Sequence, residues 1–168
     1  LNYFITSKES IGNENLMGLE KTTIVKPQNL YKNRETYFQK FSEYLLKFEY
    51  KAVATNRKKG LKLQLQKITY NASEVYLVLQ IRNNSDVDFE IDYLNVYRTN
   101  GNKKRKASYQ SLLQRVIHKY KMTYKVRTGH EKRFVYVLPK FVLGDNEKLL
   151  IELKEMNGSR KVILETVP

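Results

Sequence analysis

Apolar and polar residues change their period once along this chain. Between residues 33 and 55 the apolar positions Tyr37, Phe38, Phe41, Tyr44, Leu45, Phe48 and Ala52 recur at helical spacing, so they share one stripe of an amphipathic helix. Asn33 stands where a cap is wanted, and Glu35 where the positive end of the helix dipole would lie. Arg57-Lys58-Lys59-Gly60 then reads as the helix stop, with cations at the negative pole and glycine beyond. The stripe has two readings: it packs on the chain's own domain, or it is a docking face for a partner helix or a neighbouring domain.

From Leu61 the period is two. Leu61, Leu63 and Leu65 alternate with Lys62, Gln64 and Gln66, and the phase slips before Ile68, which predicts a β-bulge. Val75 to Arg82 is the most apolar stretch and reads as a central strand. Asp86, Asp88, Glu90 and Asp92 alternate with Val87, Phe89, Ile91 and Tyr93, the pattern of a strand with a wet acidic face and an apolar core face. Its phase changes near Tyr93-Leu94, which predicts a kink. Val116, His118, Tyr120 and Met122 alternate again and read as one strand face. Further strands are predicted over 134–138, 148–155 and 161–165, the first ended by Pro139. Asn71-Ala72-Ser73, Asn83-Asn84-Ser85, Asn100-Gly101, Thr128-Gly129 and Asn157-Gly158 supply the turns. Three of these asparagines (Asn71, Asn83 and Asn157) also match the glycosylation sequon, and we read all three as turns.

About seven short strands without intervening helices argue for a mainly β fold, an immunoglobulin-like antiparallel β-sandwich. One amphipathic helix and an irregular N-terminal arm precede it. The expected organisation is an arm or remnant of a preceding domain over 1–31, the helix and its linker over 32–59, and the sandwich over 60–168. With 168 residues, 41% hydrophobic and 29% charged, the chain has room for one self-sufficient core. The chain opens at Leu1 with no signal peptide in view, so a processed or trimmed N-terminus is expected.

Charge changes the picture. The net charge is +14, which suits an acidic partner. Residues 98–133 hold 12 Lys/Arg against the single acid Glu131. The candidate interaction surface is Lys103, Lys104, Arg105, Lys106, Arg115, Lys119, Lys121, Lys125 and Arg127, with Tyr97, Tyr109, Tyr120 and Tyr124 interleaved. Tyrosines beside cations suit stacked single-stranded nucleic acid. The same pattern also fits ordinary sheet residues with lysines outside, or a docking face for an acidic protein. Asp86, Asp88, Glu90 and Asp92 read as a solvated acidic face, as partners for basic residues of a neighbouring strand, or as the surface that complements another subunit's basic stretch.

Chemistry is sparse. Without cysteine there are no disulfides and no thiolates. His118 and His130 have no partner at ligand spacing, and acids along an extended strand do not converge on one ion. No phosphate-binding glycine loop and no nucleophile elbow is present. No catalytic, cofactor-binding or metal-binding residue is expected, nor a small-molecule substrate.

The order of several segments resembles a known family. Gln80-Ile81-Arg82-Asn83-Asn84-Ser85 is followed by Asp88-Phe89-Glu90-Ile91-Asp92-Tyr93, then Lys103-Lys104-Arg105-Lys106-Ala107 with Gln110. Glu131, Arg133, Phe134, Val135, Leu138 and Phe141 come next, and Glu152, Glu155 and Asn157-Gly158-Ser159-Arg160 close the set. Together they resemble the C-terminal region of the TraN family of Bacteroides-type conjugative transposons. Ala107 or Ser108 stands where that family has threonine, and Ser159 where it has a second glycine. The resemblance implies a non-enzymatic envelope component of the mating apparatus, at the periplasm or outer membrane, analogous to a ring component of type IV secretion systems. Its expected partners are other subunits of the apparatus, including copies of itself in a ring. A basic DNA-binding module of the transfer machinery is the alternative. The resemblance brings no catalytic residues.

Overall fold

The computed structural model describes residues 27–101 and 109–166, and the compact unit that carries the sheets runs from Arg34 to Pro168. The elements in order are α1 (Pro27–Leu46), β1 (Ala54–Lys58), β2 (Leu61–Asn71), β3 (Glu74–Asn83), β4 (Phe89–Asn100), β5 (Gln110–Leu113), β6 (His118–Tyr120), β7 (Lys125–Val126), β8 (Glu131–Pro139), β9 (Glu147–Glu155) and β10 (Lys161–Glu165). All strand pairs are antiparallel. One sheet has the order β1-β2-β3-β8-β6, the other β10-β9-β4-β5, with β7 also on β4. The mainly β, two-sheet fold expected from the periodicity is the fold observed.

The alternating residues meet between the sheets. Leu61, Leu63, Leu65, Leu77, Leu79, Ile81, Phe134 and Leu138 of the first sheet pack against Phe89, Ile91, Val96, Leu149, Ile151, Leu153, Val162 and Leu164 of the second. The predicted bulge falls between Leu65 and Lys67, and the predicted kink in β4 is a register shift between Ile91 and Tyr93. β3 is central, and its other face is apolar as well. Tyr76 and Val78, with Val135 and Val137 of β8, are covered by Phe38 and Leu45 of α1. The helix is thus a third layer over the first sheet, which is why β3 lacks a polar face. Each fully buried side chain of this size contributes about 2 kcal/mol.

Six expectations are corrected. The helix spans Pro27–Leu46 rather than 33–55. Pro27 suits the first helical position, where its missing N–H is not needed, so Asn33 lies inside the helix and is not its cap. At the other end Lys47 N–H bonds Tyr44 O, and Val53 N–H already bonds Leu65 O. The apolar spacing that runs on to Ala52 therefore belongs to chain laid along the sheet. Arg57-Lys58-Lys59-Gly60 is no helix stop: Lys59 and Gly60, at φ 49° and 76°, form the two-residue turn between β1 and β2. Val87 is exposed and lies before β4, so the acid–apolar alternation is structural only from Phe89. Val116 and Met122 pack on the inter-sheet core, whereas Tyr120 packs on the helix side, so these residues do not share a face. Finally, Asn100 pairs with Gln110, so the link after Asn100-Gly101 is a nine-residue connection over 101–109 and not a tight hairpin.

Candidate interaction surfaces

The acid-faced strand is engaged within its own chain. Backbone pairing of β7 with β4 sets Lys125 opposite Glu90. Lys125 Nζ lies 3.0 Å from Asp88 Oδ2 and 3.5 Å from Glu90 Oε1, and Thr128 N–H donates to Asp88 Oδ1 at 3.0 Å. The Thr128 amide and the Lys125 ammonium hold the Asp88 carboxyl below its ordinary range, and Asp88 in turn raises Lys125. Asp86 and Asp92 are exposed. Asp88 and Glu90 are therefore not a bare negative face awaiting a neighbour.

The cations are dispersed. Lys103, Lys104, Arg105 and Lys106 lie outside the described residues. Arg115, Lys119, Lys121, Lys125 and Arg127 are exposed. Lys119 Nζ sits over the Tyr136 ring at 5.4 Å and Lys121 Nζ over the Tyr120 ring at 5.5 Å. Lys125 and Arg127 join Thr123, His130 and Lys132 around a shallow concavity. A second concavity, which the periodicity did not reveal, is lined by Arg57, Lys58, Lys59, Lys62 and Asn84. Arg57 pairs in register with Lys62, and Lys62 with Arg82, so three cations cross three adjacent strands. The signal was present as a Lys-Gly turn between polar strands, masked by reading it as a helix end. Tyr97 and Tyr120 lie in different sheets. Only Tyr124, 81% exposed, offers an open ring, so these tyrosines form no continuous stacking surface.

The segments that carry the resemblance are clasps. The buried Asn83 side chain donates to Val87 O and Val126 O and accepts from Ser85 N–H and Oγ. Arg160 in the turn after β9 donates to Glu155, to Ser85 Oγ at 2.8 Å and to Asp88 O at 2.8 Å, and its guanidinium covers the Phe89 ring. The Arg160 guanidinium holds the Glu155 carboxyl below its ordinary range. Arg133 reaches the other way: Nη2 donates to Phe48 O at 2.7 Å, Nη1 to Leu46 O at 3.4 Å and Nε to Gln66 Oε1 at 2.8 Å. A guanidinium thus closes the C-terminal end of α1, where carbonyls lack partners. On the second sheet Tyr93 Oη donates to Glu152, which pushes the phenol up to about 12. Burial raises Glu152, but its bonds from Lys161 and Tyr93 outweigh that and leave it below its ordinary range.

The helix stripe divides. Phe38 and Leu45 are buried and Phe41 half-buried, its ring 4.7 Å from Tyr76. Tyr37, Tyr44 and Phe48 form an exposed flank, with Tyr44 and Phe48 in edge contact at 5.1 Å. Arg34 Nη2 bonds the buried Glu74 at 2.8 Å, and Asn71 Nδ2 donates to Tyr37 Oη at 2.6 Å. The stripe is therefore mainly this domain's own packing, with an aromatic margin left open.

Among the described residues, no helix is long and apolar enough to cross a membrane, and no group of three His, Asp or Glu side chains is placed to hold a metal ion. No curated protein and no solved structure matches the chain. A family does match, over residues 28–167, and it covers the helix and both sheets. Its description is "Domain of unknown function", and it is known in conjugative transposon proteins. The chain belongs to this family, DUF4138.

Proposed function

We propose that this domain is a non-enzymatic structural component of a conjugative DNA-transfer apparatus of type IV secretion kind. It would stand in the cell envelope, in the periplasm or at the outer membrane, and act through protein–protein assembly surfaces. The observation that carries this reading is the family match over residues 28–167, in a family known in conjugative transposon proteins. The geometry supports it: Asn83, Arg133, Glu155 and Arg160 hold the fold's own groups. Outward the domain keeps an aromatic margin at Tyr37, Tyr44 and Phe48, a residue type enriched at docking surfaces.

A second reading is favoured by a separate observation, the cation row Arg57, Lys62 and Arg82 beside the Lys125–Lys132 concavity. It makes the domain a DNA-binding module of the transfer machinery. Fluorescence anisotropy with labelled single- and double-stranded DNA separates the two. At about 0.15 M salt, a Kd no tighter than about 10⁻⁴–10⁻⁶ M is the non-specific background of a basic protein and is the result expected of an assembly module. A Kd tenfold or more below about 10⁻⁶ M, falling steeply with salt, would place DNA handling first.

A further inference from the structure

Residues paired across an antiparallel ladder set their side chains on one face of the sheet. Arg57, Lys62 and Arg82 are such partners on β1, β2 and β3. Their chain neighbours Leu61, Leu63 and Ile81 fill the inter-sheet core, so the three cations stand on the outer face of the first sheet. α1 covers that face further along, at Tyr76 and Val78. Arg57 and Arg82 are exposed and Lys62 is half-buried.

Like charges directly opposite one another destabilise a sheet, and this row sets two such pairs side by side. Among the described residues, no acid pairs with Arg57 or Lys62. The row ends on β8 at Glu131. Its Oε2 is 3.8 Å from Arg82 Nη1, beyond hydrogen-bond length. Arg82 Nε donates to Asn84 Oδ1 at 2.9 Å, which fixes the guanidinium and leaves both terminal nitrogens open to a ligand. Lys58 and Lys59 share the adjoining concavity with Arg57 and Lys62.

We infer that this row binds the phosphate backbone of duplex nucleic acid without reading its sequence. The surroundings select the occupant. The next row on the same face is Thr55, Gln64 and Gln80, all neutral and polar. The centre of a protein–protein interface is apolar or aromatic and poor in lysine, and binding at a membrane surface adds buried apolar area to charge. A face of cations and amides has instead the composition of a nucleic-acid interface, polar and strongly positive. Single strands are held by stacking as well as by charge, and no ring stands in either row. A duplex also offers dense charge, one phosphate per about 1.7 Å of axis. Neighbouring strands lie about 4.8 Å apart, so the row lays three cations along about 10 Å, a length over which a duplex carries several phosphates. Contacts of this kind position a nucleic acid and carry no sequence information. The inference rests on the DNA-binding reading and gives it a site and a form of nucleic acid.

The test is fluorescence anisotropy of the whole 168-residue chain with a labelled duplex of about 20 base pairs, titrated between about 0.05 and 0.2 M salt. One variant combines Arg57→Gln, Lys62→Gln and Arg82→Gln. A charge-matched control combines Lys40→Gln, Lys47→Gln and Lys51→Gln, all exposed. The row variant is expected to bind about tenfold more weakly or worse at about 0.05 M salt, its log–log salt slope falling by about 0.9 for each cation removed. The control should stay close to the unmodified chain, a single strand of the same length should bind more weakly, and a scrambled duplex should bind equally. Lys62→Gln alone should lower the slope by about 0.9 and, by relieving both like-charge pairs, raise the melting temperature. That variant decides the matter if the triple one does not fold: an unchanged slope in it overturns the inference. Equal loss in the row variant and the control would also overturn it, because bulk charge and not a site would then bind. So would a preference for the single strand or for one sequence. Poly-glutamate or anionic phospholipid vesicles that lose binding with the row, while the duplex does not, would give the row another occupant. Duplex binding tighter than about 10⁻⁶ M that survives loss of the row removes this inference and keeps the DNA-binding reading. No duplex binding even at low salt removes both and leaves the assembly module.

Discussion

Arg160 is 13% exposed and its partner Glu155 14%, and every guanidinium nitrogen of Arg160 has an acceptor. Removing one member of such a pair leaves an uncompensated charge. Arg160→Ala is expected to cost about 3 kcal/mol, or roughly 6–12 °C in melting temperature, read by thermal unfolding. Arg160→Lys keeps the charge but not the planar fork, so it should fall between. Gly60 gives a second single-residue case. A Cβ built there would lie 2.7 Å from Ser85 Cβ, at a φ of 76°. Gly60→Ala should therefore lower the urea midpoint, while Lys58→Ala beside it should not. Protons read the same clasp. Glu155, Glu152 and Asp88 all have folded carboxyls below their ordinary values. A depressed carboxyl contributes stability above its unfolded pKa and loses it as pH falls through the folded value. Melting should stay level from neutral pH to near the ordinary glutamate value of 4.5 and fall below it. Glu155→Gln should start lower and fall less steeply. An unchanged slope in that variant would mean that other carboxyls carry the acid transition.

At the scale of elements, Arg133 ties α1 to the sheet. Its bonds to Leu46 O and Phe48 O supply a cation where the helix dipole is negative. Arg133→Ala should lower hydrogen-exchange protection of α1 amides at least tenfold while leaving β3, held on both sides by β2 and β8, unchanged. Equal loss in both would show that helix and sandwich open as one unit. The elements also show what periodicity reveals. β3, β9 and β10 were legible because their core residues alternate or run together without a break. β1 was not, since four of its five residues are exposed and nothing alternates. The helix end was misplaced because Phe48 and Ala52 keep helical spacing on chain that is no longer helical. β6 and β7 are two or three residues long, and their pairing comes from where the folded chain crosses between sheets, which no local pattern records. The clasps were visible only as an ordered set of short segments. That Asn83, Arg133 and Arg160 do structural work there is tertiary information.

For the whole molecule, the sequence pattern identified the charge and left open whether the acids of 86–92 form a wet face or pair with basic residues of a neighbouring strand. The second of these holds for two of the four acids: Lys125 of the neighbouring β7 meets Asp88 and Glu90 within one chain. Pairing of residues far apart in sequence decides this, and a strand two residues long achieves it. What stays unbalanced is the net +14. Two effects of salt then oppose each other. Screening weakens exposed pairs such as Lys125–Asp88. Screening also relieves the mutual repulsion of the excess cations, which disfavours the compact state. Fourteen uncompensated charges should outweigh a few exposed pairs, so the melting temperature should rise between about 0.01 and 0.15 M salt, as the screening length falls from about 30 to 8 Å. A gain near 1 kcal/mol would appear as about 2–4 °C. Replacing Lys103–Lys106 by Gln should raise the low-salt melting temperature and flatten the salt dependence, because it removes the densest part of the repulsion. A melting temperature that falls with salt in the unmodified chain would mean that the ion pairs dominate. The basic block would then be stabilising in place and not held in reserve for a partner.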